Sequence, residues 1–124
     1  MKIRVYYEDT DAGGIVYHTR YINFCERARS EVFFARGMMP ENGEASGFIV
    51  RSLKSDFLAS ASLGDLLEVK SRIITLKKST VILQQDIYNA EEKVFSMEIR
   101  LAYISEGRVS RIPDDFRTLF ENML

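Results

Sequence analysis

The chain has 124 residues, and 17 basic and 18 acidic side chains give it a formal net charge of −1. This balance is not typical of nucleic-acid-binding proteins, which present a basic surface, and the length fits one domain with a modest core. A single cysteine leaves no disulfide within the chain and suits a reducing compartment. The sequence shows no repeat, signal peptide or membrane-spanning apolar run. It predicts one cytoplasmic domain over residues 1–124, with peripheral membrane contact left open.

The first predicted element is a β-strand over residues 2–8. Ile3, Val5 and Tyr7 point to one side of this strand, and charged side chains point to the other. This alternation is typical of a strand with one buried face.

The next segment, Y-E-D-T-D-A-G-G-I-V-Y-H-T-R-Y, covers residues 7–21. It holds three carboxylates, two adjacent glycines and the only histidine of the chain, between a predicted strand and a predicted helix. A turn needs one Gly or one Asp. The excess makes this segment the first candidate for a functional site.

Apolar residues then recur at helical spacing, beginning with Tyr21 and Cys25, and polar residues occupy the other side. The pattern predicts a helix over roughly residues 19–36. Gly37 follows as a left-handed cap.

Four further stretches alternate apolar and polar residues, which predicts four long strands. Their alternating apolar positions begin at Ile49, Leu67, Val81 and Phe95. The breaks between them, S-L-G-D, L-K-K-S and N-A-E-E-K, are short and polar. Short connections favour antiparallel neighbours.

The C-terminal segment, I-P-D-D-F-R-T-L-F-E-N-M-L, predicts a short amphipathic helix. Pro113 stands at its start and two aspartates follow in its first turn, where the helix dipole favours negative charge. One strand, a long helix, four strands and a short helix make an α+β protein. The economical arrangement is a five-stranded antiparallel sheet curled around the long helix.

The stretch R-V-Y-Y-E-D-T-D-A-G-G-I-V-Y-H-T-R-Y-I-N-F-C-E-R-A-R resembles the signature of the 4-hydroxybenzoyl-CoA thioesterase-like hotdog family. Its T-D-A-G-G-x-V-Y-H form is similar to the bacterial acyl-CoA thioesterases associated with the Tol–Pal system. The motif covers the first part of the chain, and the order of elements extends the agreement to nearly all of it. The resemblance implies a hotdog fold and an acyl-CoA thioester hydrolase.

The resemblance places the catalytic carboxylate on Asp11. Taken alone, an Asp before Gly13 and Gly14 is typical of a side chain that caps a turn. Thioester hydrolysis needs an attacking oxygen and a group that stabilises the carbonyl oxygen. Asp11 can meet the first need as a nucleophile or as a base on water, and the sequence leaves both open.

The second need can be met by backbone N–H groups where the helix begins, at about Tyr17–Thr19. These groups lack intrahelical partners and carry the positive end of the helix dipole. The resemblance implies the N–H at His18 as the donor. Gly13 and Gly14 would let the chain turn sharply and approach the substrate closely, and Tyr17 lies at the same junction.

Two further side chains are catalytic candidates. His18 could hold the attacking water, bind Asp11 or orient the thioester, although a lone loop histidine is usually a polar or capping residue. Tyr7 could donate its hydroxyl into the site, and a core tyrosine is at least as consistent with its position. Asp9 is interpreted as a loop anchor that binds backbone N–H groups, and Glu8 as a solvated charge.

Other residues carry weaker hypotheses. Glu26 and Glu31 on the helix are rival carboxylates, because some hotdog thioesterases use this helix, although surface ion pairs are commoner. Cys25 lies on the apolar stripe and is interpreted as core. The pair Lys77 and Lys78 is the best candidate for the phosphates of CoA, with a solvated turn as the default.

One histidine with scattered carboxylates is a poor metal-ligand set, so we expect no metal and no cofactor beyond the CoA of the substrate. The curled sheet leaves open edges, and the family resemblance implies a homodimer or homotetramer with sites between subunits. Two alternatives stay open. One is a thioesterase for acyl-carrier-protein substrates, and the other is a non-catalytic hotdog that binds acyl-CoA or a protein partner near lipid synthesis.

Overall fold

The computed structural model describes residues 1–41, 43 and 45–124. In these residues the elements follow in the order β1 (Lys2–Arg4), α1 (His18–Phe34), β2 (Ser46–Phe57), β3 (Leu66–Leu76), β4 (Thr80–Asn89), β5 (Glu92–Ser105), β6 (Arg108–Val109) and α2 (Asp114–Glu121). A single 3-10 turn, Tyr7–Asp9, lies between β1 and α1.

The strands form one antiparallel sheet in the order β1-β3-β4-β5-β2, with β6 paired to β5. β2 and β3 are neighbours in sequence but lie far apart in the sheet, because residues 58–65 carry the chain across to the β1 side. β1 and β2 therefore form the two edges. The predicted five-stranded sheet is confirmed, and the two-residue β6 is too short to show a periodic pattern.

The concave side of the sheet is filled by α1. The helix buries Tyr21, Phe24, Cys25, Ala28 and Phe33, which lie on one broad stripe. The sheet contributes the alternating inner positions of its strands, with Leu67, Ile87, Phe95 and Ile99 fully buried. Burial of each large apolar side chain contributes about 1.5–3 kcal/mol. This packing confirms the predicted curled sheet around a long helix and the interpretation of Cys25 as core.

Five aromatic rings pack together where the C-terminal end of α1 meets α2. This aromatic cluster consists of Phe33, Phe48, Tyr103, Phe116 and Phe120. Its ring centroids lie 5.3–6.3 Å apart, mostly edge to face. The predicted C-terminal helix is thus confirmed, with Pro113 at its N-cap, and it closes one end of the core.

The prediction of a strand over residues 2–8 is wrong beyond Arg4. Ile3 and Val5 are buried as predicted, but Tyr7 is 81% exposed and lies in the 3-10 turn. The cause is Asp9, whose carboxylate accepts the N–H of Tyr6 at 2.9 Å while its own N–H donates to the carbonyl of Tyr6 at 3.0 Å. These bonds close the turn and take the chain away from the sheet.

The helix boundaries differ from the prediction by one or two residues at each end. Gly37 has φ of 68° and its N–H donates to the carbonyl of Phe34 at 3.0 Å, which is the predicted left-handed cap. On β2, by contrast, the predicted inward face is only partly covered. Leu53 and Phe57 are 40–50% exposed, and a bulge between Val50 and Ser52 places Ile49 on the opposite face, paired with Ala102. The reason is position, because β2 is an edge strand with one neighbour.

Candidate active site

Residues 9–17 form a small hairpin that leads from the 3-10 turn into α1. The N–H of Tyr17 donates to the carbonyl of Asp9 at 2.8 Å, and the N–H of Asp11 donates to the carbonyl of Ile15 at 2.9 Å. Thr10 and Val16 pair between them. The hairpin therefore presents Asp11 close to its tip and delivers the chain into the helix at its base.

Asp9 anchors the hairpin from inside. Its carboxylate is 3% exposed and binds the N–H of Tyr6 at 2.9 Å through one oxygen. The other oxygen accepts from Nε of Arg20 at 3.1 Å, and Nη2 of the same guanidinium lies 3.6 Å from the exposed carboxylate of Glu8. Both Asp9 oxygens are occupied, so Asp9 holds the loop, as predicted. The sequence did not identify Arg20 as its partner, because nothing marks one arginine among several.

The helix entrance is also tied to the segment before β3. The peptide of Ala61 donates its N–H to the hydroxyl of Tyr21 at 3.1 Å and accepts the N–H of Val16 at 2.9 Å. Burial raises the pKa of the Tyr21 hydroxyl, which stays neutral. These contacts fix the first turn of α1 relative to the sheet.

Asp11 is exposed, and its carboxylate has one free oxygen among the described residues. Oδ1 accepts the N–H of Gly13 at 2.8 Å, the turn-capping bond weighed for this residue. A Cβ at Gly13 would lie 3.2 Å from this oxygen, while Gly14 has φ of 81°, where L side chains are strained. The two glycines thus allow the tight turn, and Oδ2 of Asp11 stays available to a ligand.

The first turn of α1 has free donors. Tyr17 is the N-cap without a side-chain cap, and its own N–H is taken by Asp9. The N–H groups of His18 and Thr19 donate to no residue in the described part of the chain. Unpaired N–H groups at a helix N-terminus attract a developing negative charge. The predicted donor position therefore exists in the structure.

Asp11 lies on the hairpin, and the His18 N–H lies just beyond its base, at the start of α1. Asp11 lies opposite Ile15 in the hairpin. His18 follows Ile15 by three residues, which correspond to roughly 10 Å of extended chain. Among the described residues, no hydrogen bond joins the carboxylate of Asp11 to the imidazole of His18, so a pair of these side chains is not formed here.

The side chains of His18 and Tyr7 are placed differently from each other. The imidazole of His18 packs beside Tyr17, with ring centroids 4.6 Å apart, and edge-on to Phe57 at 6.0 Å. It thus lies over the end of β2. Tyr7 is not a core residue, and its exposed ring lies on the same turn as Asp9. Catalytic roles for both stay predictions.

Lys77 and Lys78 lie in the turn between β3 and β4, which packs against the C-terminal segment. The carbonyl of Lys78 accepts the N–H of Ile112 at 2.9 Å, and Arg117 donates to the carbonyl of Lys77 at 2.6 Å. This turn follows the end of β3, whereas the hairpin adjoins its start through Ser62. The ten steps of β3 separate them by roughly 33 Å. Contact with CoA phosphates stays a prediction.

The helix carboxylates and the cysteine lie away from the hairpin. Glu26 accepts the hydroxyl of Ser30 at 2.9 Å. Neither Glu26 nor Glu31 forms an ion pair with another residue that the structure describes. Burial raises the pKa of the Cys25 thiol to about 12, so this cysteine is not a nucleophile at neutral pH.

Within residues 1–41, 43 and 45–124, His, Cys, Asp and Glu side chains do not gather in groups of three that could hold a metal ion. The same residues include no helix that is long and apolar enough to cross a membrane.

The fold and the hairpin together define a class of protein. Residues 13–96 match the family model of the thioesterase superfamily. The structure of a probable thioesterase from Bartonella henselae superposes with a TM-score of 0.84 at 32% identity, covering 91% of this chain and 97% of that one. The chain belongs to the thioesterase superfamily, and the predicted hotdog fold and thioesterase activity are confirmed.

Curated relatives narrow this class. Acyl-CoA thioesterase YbgC of Helicobacter pylori is 44% identical over 130 residues, which span 96% of this chain and 97% of the relative. Acyl-CoA thioesterase YbgC of Haemophilus influenzae is 32% identical, spanning 98% and 93%. The similarity thus extends over nearly the full length of both relatives.

Proposed function

We propose that this protein hydrolyses acyl-CoA thioesters, with Asp11 providing or activating the attacking oxygen and the N-terminus of α1 polarising the carbonyl. The reaction class, predicted from the sequence, is confirmed by the acyl-CoA thioesterase relatives. The residue roles are our proposal. The observation that carries them is the free Asp11 oxygen on a hairpin that leads directly to the unpaired N–H groups of His18 and Thr19 at the start of α1.

The chemistry requires little of the protein. The carbonyl oxygen gains negative charge as the attacking oxygen bonds to carbon, and the helix N–H groups would bind that charge. The C–S bond then breaks and CoA leaves as a thiolate, which needs no strong acid because thiols have a pKa of roughly 8.5. In one route Asp11 bonds to the acyl carbon and water cleaves the mixed anhydride. In the other, Asp11 takes a proton from the attacking water.

This route uses no metal or cofactor, and we propose that none is needed. The negative charge of the transition state is stabilised by backbone donors at a helix dipole, which do not titrate. The proton is handled by a carboxylate. CoA enters only as part of the substrate.

The decisive experiment compares Asp11→Asn with the parent protein in a thiol-release assay over a panel of acyl-CoAs. Asparagine keeps the turn-capping oxygen but neither attacks nor accepts a proton, so we expect turnover to fall at least roughly 100-fold. The melting temperature should stay near that of the parent. Glu8→Gln is the matched control, because Glu8 is an exposed carboxylate three residues away, and its turnover should stay within about twofold.

Other outcomes lead to different conclusions. If Asp11→Asn keeps turnover within a fewfold of the parent, the carboxylate role moves to Glu26 or Glu31. If the parent hydrolyses acyl-carrier-protein thioesters but no acyl-CoA, the first alternative holds. If it hydrolyses neither and still binds acyl-CoA, the non-catalytic alternative holds.

We also propose that two copies pair along β2. This strand has twelve residues and one neighbour, so its outer N–H and C=O groups are open to another strand. Ile49, Val50, Leu53 and Phe57 along it are each at least 40% exposed. Antiparallel pairing with a second β2 would cover these side chains. A tetramer stacked through outer sheet faces stays open.

Light scattering tests this pairing. Leu53→Lys places a charge in the middle of the proposed interface and should shift the protein towards the monomer. Val109→Lys is the control, since Val109 is also exposed but lies on β6. Equal oligomeric states for the parent and both variants would contradict pairing through β2.

The cellular setting is also a proposal. The T-D-A-G-G-x-V-Y-H motif supports placement in the Tol–Pal-associated subfamily, and the absence of a spanning helix among the described residues is compatible with cytoplasmic placement. A peripheral association with inner-membrane or lipid-synthesis proteins follows from the same resemblance. Fractionation of cells into soluble and membrane pools, at low and high salt, tests it.

A further inference from the structure

A cavity of about 590 Å³ lies between α1 and the N-terminal half of β2. Its volume is in the range of pockets that hold small-molecule ligands. Apolar side chains of the sheet and of α2, such as Leu83, Leu101 and Phe120, form much of its wall. The backbone of α1 lies closer to β3 than to β2, which leaves room at this edge.

The cavity lies on the same stripe of α1 that begins at the proposed reaction site. His18, Ile22, Glu26, Ser30 and Phe33 follow at steps of three or four residues, so they share one face of the helix. Both ends of this stripe contact β2, with His18 against Phe57 and Phe33 against Phe48. A linear acyl chain attached at the helix N-terminus can therefore follow the stripe into the cavity.

Arg29 places a cation in the wall of this apolar cavity. One guanidinium N–H donates to the buried amide oxygen of Gln85 at 2.9 Å. The remaining N–H groups bond to no residue among those described, and no carboxylate there lies within 4.0 Å of them. Burial lowers the pKa of this guanidinium, although it remains charged. The free donors of Arg29 thus remain available to a ligand in the cavity.

The other polar groups of the cavity do not satisfy these donors. Glu26 and Glu41 also line it, but both are exposed and Glu26 is engaged by Ser30. The hydroxyl of Ser71 accepts from Gln85 at 3.0 Å. A ligand atom that complements Arg29 is therefore an oxygen acceptor carried at the end of an apolar chain.

We propose that this cavity receives the far end of the acyl group, and that Arg29 selects acyl groups with an oxygen acceptor at that end. The proposal rests on the thioesterase function above. Eleven residues from His18 to Arg29 span about 16 Å of helix. An extended dodecanoyl chain spans about 14 Å, and the long Arg29 side chain can cover the difference. An ω-hydroxyl or ω-carboxyl group on such a chain is the matching chemistry.

The test compares hydrolysis of dodecanoyl-CoA with that of its ω-hydroxy and ω-carboxy analogues. A hydrogen bond to a charged group is worth enough to raise kcat/KM about tenfold for the oxygenated chains. Arg29→Met removes the donors, keeps an apolar side chain and should abolish this preference. Arg27→Met is the matched control, because Arg27 is exposed on the same helix and does not line the cavity, so it should keep the preference.

The ω-hydroxyl group is neutral and the ω-carboxyl group is charged, so the two analogues distinguish hydrogen bonding from charge attraction. A tenfold gain for either analogue, lost in Arg29→Met and kept in Arg27→Met, supports the proposal. Equal rates for all three chains in the parent protein overturn it, as does an Arg29→Met variant that keeps the preference. The parent comparison needs no variant, so it decides even if Arg29→Met does not fold.

Binding measured by NMR distinguishes failure of this inference from failure of the proposed function. The thioether ω-hydroxydodecyl-CoA, which cannot be hydrolysed, is titrated into the parent protein, with the dodecyl-CoA thioether as the reference. We expect shifts of the Arg29 Nε–H signal and of the amides of Gly47 and Phe48, with binding about tenfold tighter for the hydroxylated chain. Unmoved signals, or equal affinities, overturn the inference whether or not the protein hydrolyses thioesters.

Discussion

At its C-terminal end α1 packs Phe33 into the aromatic cluster, whereas at its N-terminal end it leaves the N–H groups of His18 and Thr19 without acceptors. The first end is closed by α2 and buries rings against rings. The second is approached by a hairpin whose buried Asp9 is fully bonded and whose exposed Asp11 is only half bonded. Packing at one end lets the other end keep groups available for reaction.

The largest expected effect concerns the packed end. Phe116→Ala removes a buried ring that contacts Phe33 and Phe48, and we expect the free energy of unfolding to fall by about 3–5 kcal/mol. Denaturant unfolding measures it. Phe34→Ala, at an exposed ring on α1, should change it by less than about 1 kcal/mol. Equal losses for both variants would mean that the aromatic cluster does not specifically stabilise the C-terminal end of α1.

The next effect concerns the open end and separates a backbone donor from a side chain. His18→Pro removes the N–H at the first helical position, where proline is tolerated. Tyr17 already has ψ of 136°, as the residue before a proline requires. We expect kcat to fall about 100–1000-fold, as on loss of an oxyanion donor, with the circular dichroism spectrum unchanged.

The control for that variant is His18→Ala, which keeps the N–H and removes the imidazole. If the backbone polarises the carbonyl, His18→Ala should lose much less activity than His18→Pro. Equal losses would instead assign the role to the imidazole, and unchanged activity in both would remove this helix end from the reaction.

A smaller effect is expected at the joint between the hairpin and the helix. Asp9→Asn removes the negative charge that pairs with Arg20. Its amide has one oxygen in place of two, so the N–H of Tyr6 and Nε–H of Arg20 no longer each have an oxygen to bond. We expect a loss of about 1–3 kcal/mol in unfolding free energy, together with a lower kcat from a looser hairpin. Thermal unfolding and the thiol-release assay measure both, beside Arg20→Gln, which should give a similar loss. An unaffected Asp9→Asn would mean that Asp11 is positioned without this anchor.

The sequence predicted those parts of the fold that depend on local periodicity. The helix, the four long strands and the cap at Gly37 repeat a pattern over many residues, and the structure confirms them. The strand over residues 2–8 failed because one side chain, Asp9, closes a turn that alternation cannot reveal. The exposure of Leu53 and Phe57 was missed because strand order is not a local property.

The candidate site was predictable in part for the same reason. Asp11, the glycines and the helix start are close in sequence, so one motif carries them together. Arg20 as the partner of Asp9, and Arg29 in the wall of a cavity, depend on contacts between distant segments. For Lys77 and Lys78 the contact with CoA stays a prediction, because a charge pair in sequence gives no distance to the site.

Gln85 is fully buried between the sheet and α1, where its amide donates to the carbonyl of Cys25 and accepts from Arg29. A helix held only by apolar contacts could shift along its axis or rotate about it, on the concave face of the sheet, at little cost in free energy. The directional hydrogen bonds of the Gln85 amide fix the position of the helix over the sheet and its rotation about its own axis. The apolar core side chains could then change in size over evolution while the N-terminus of α1 keeps its orientation.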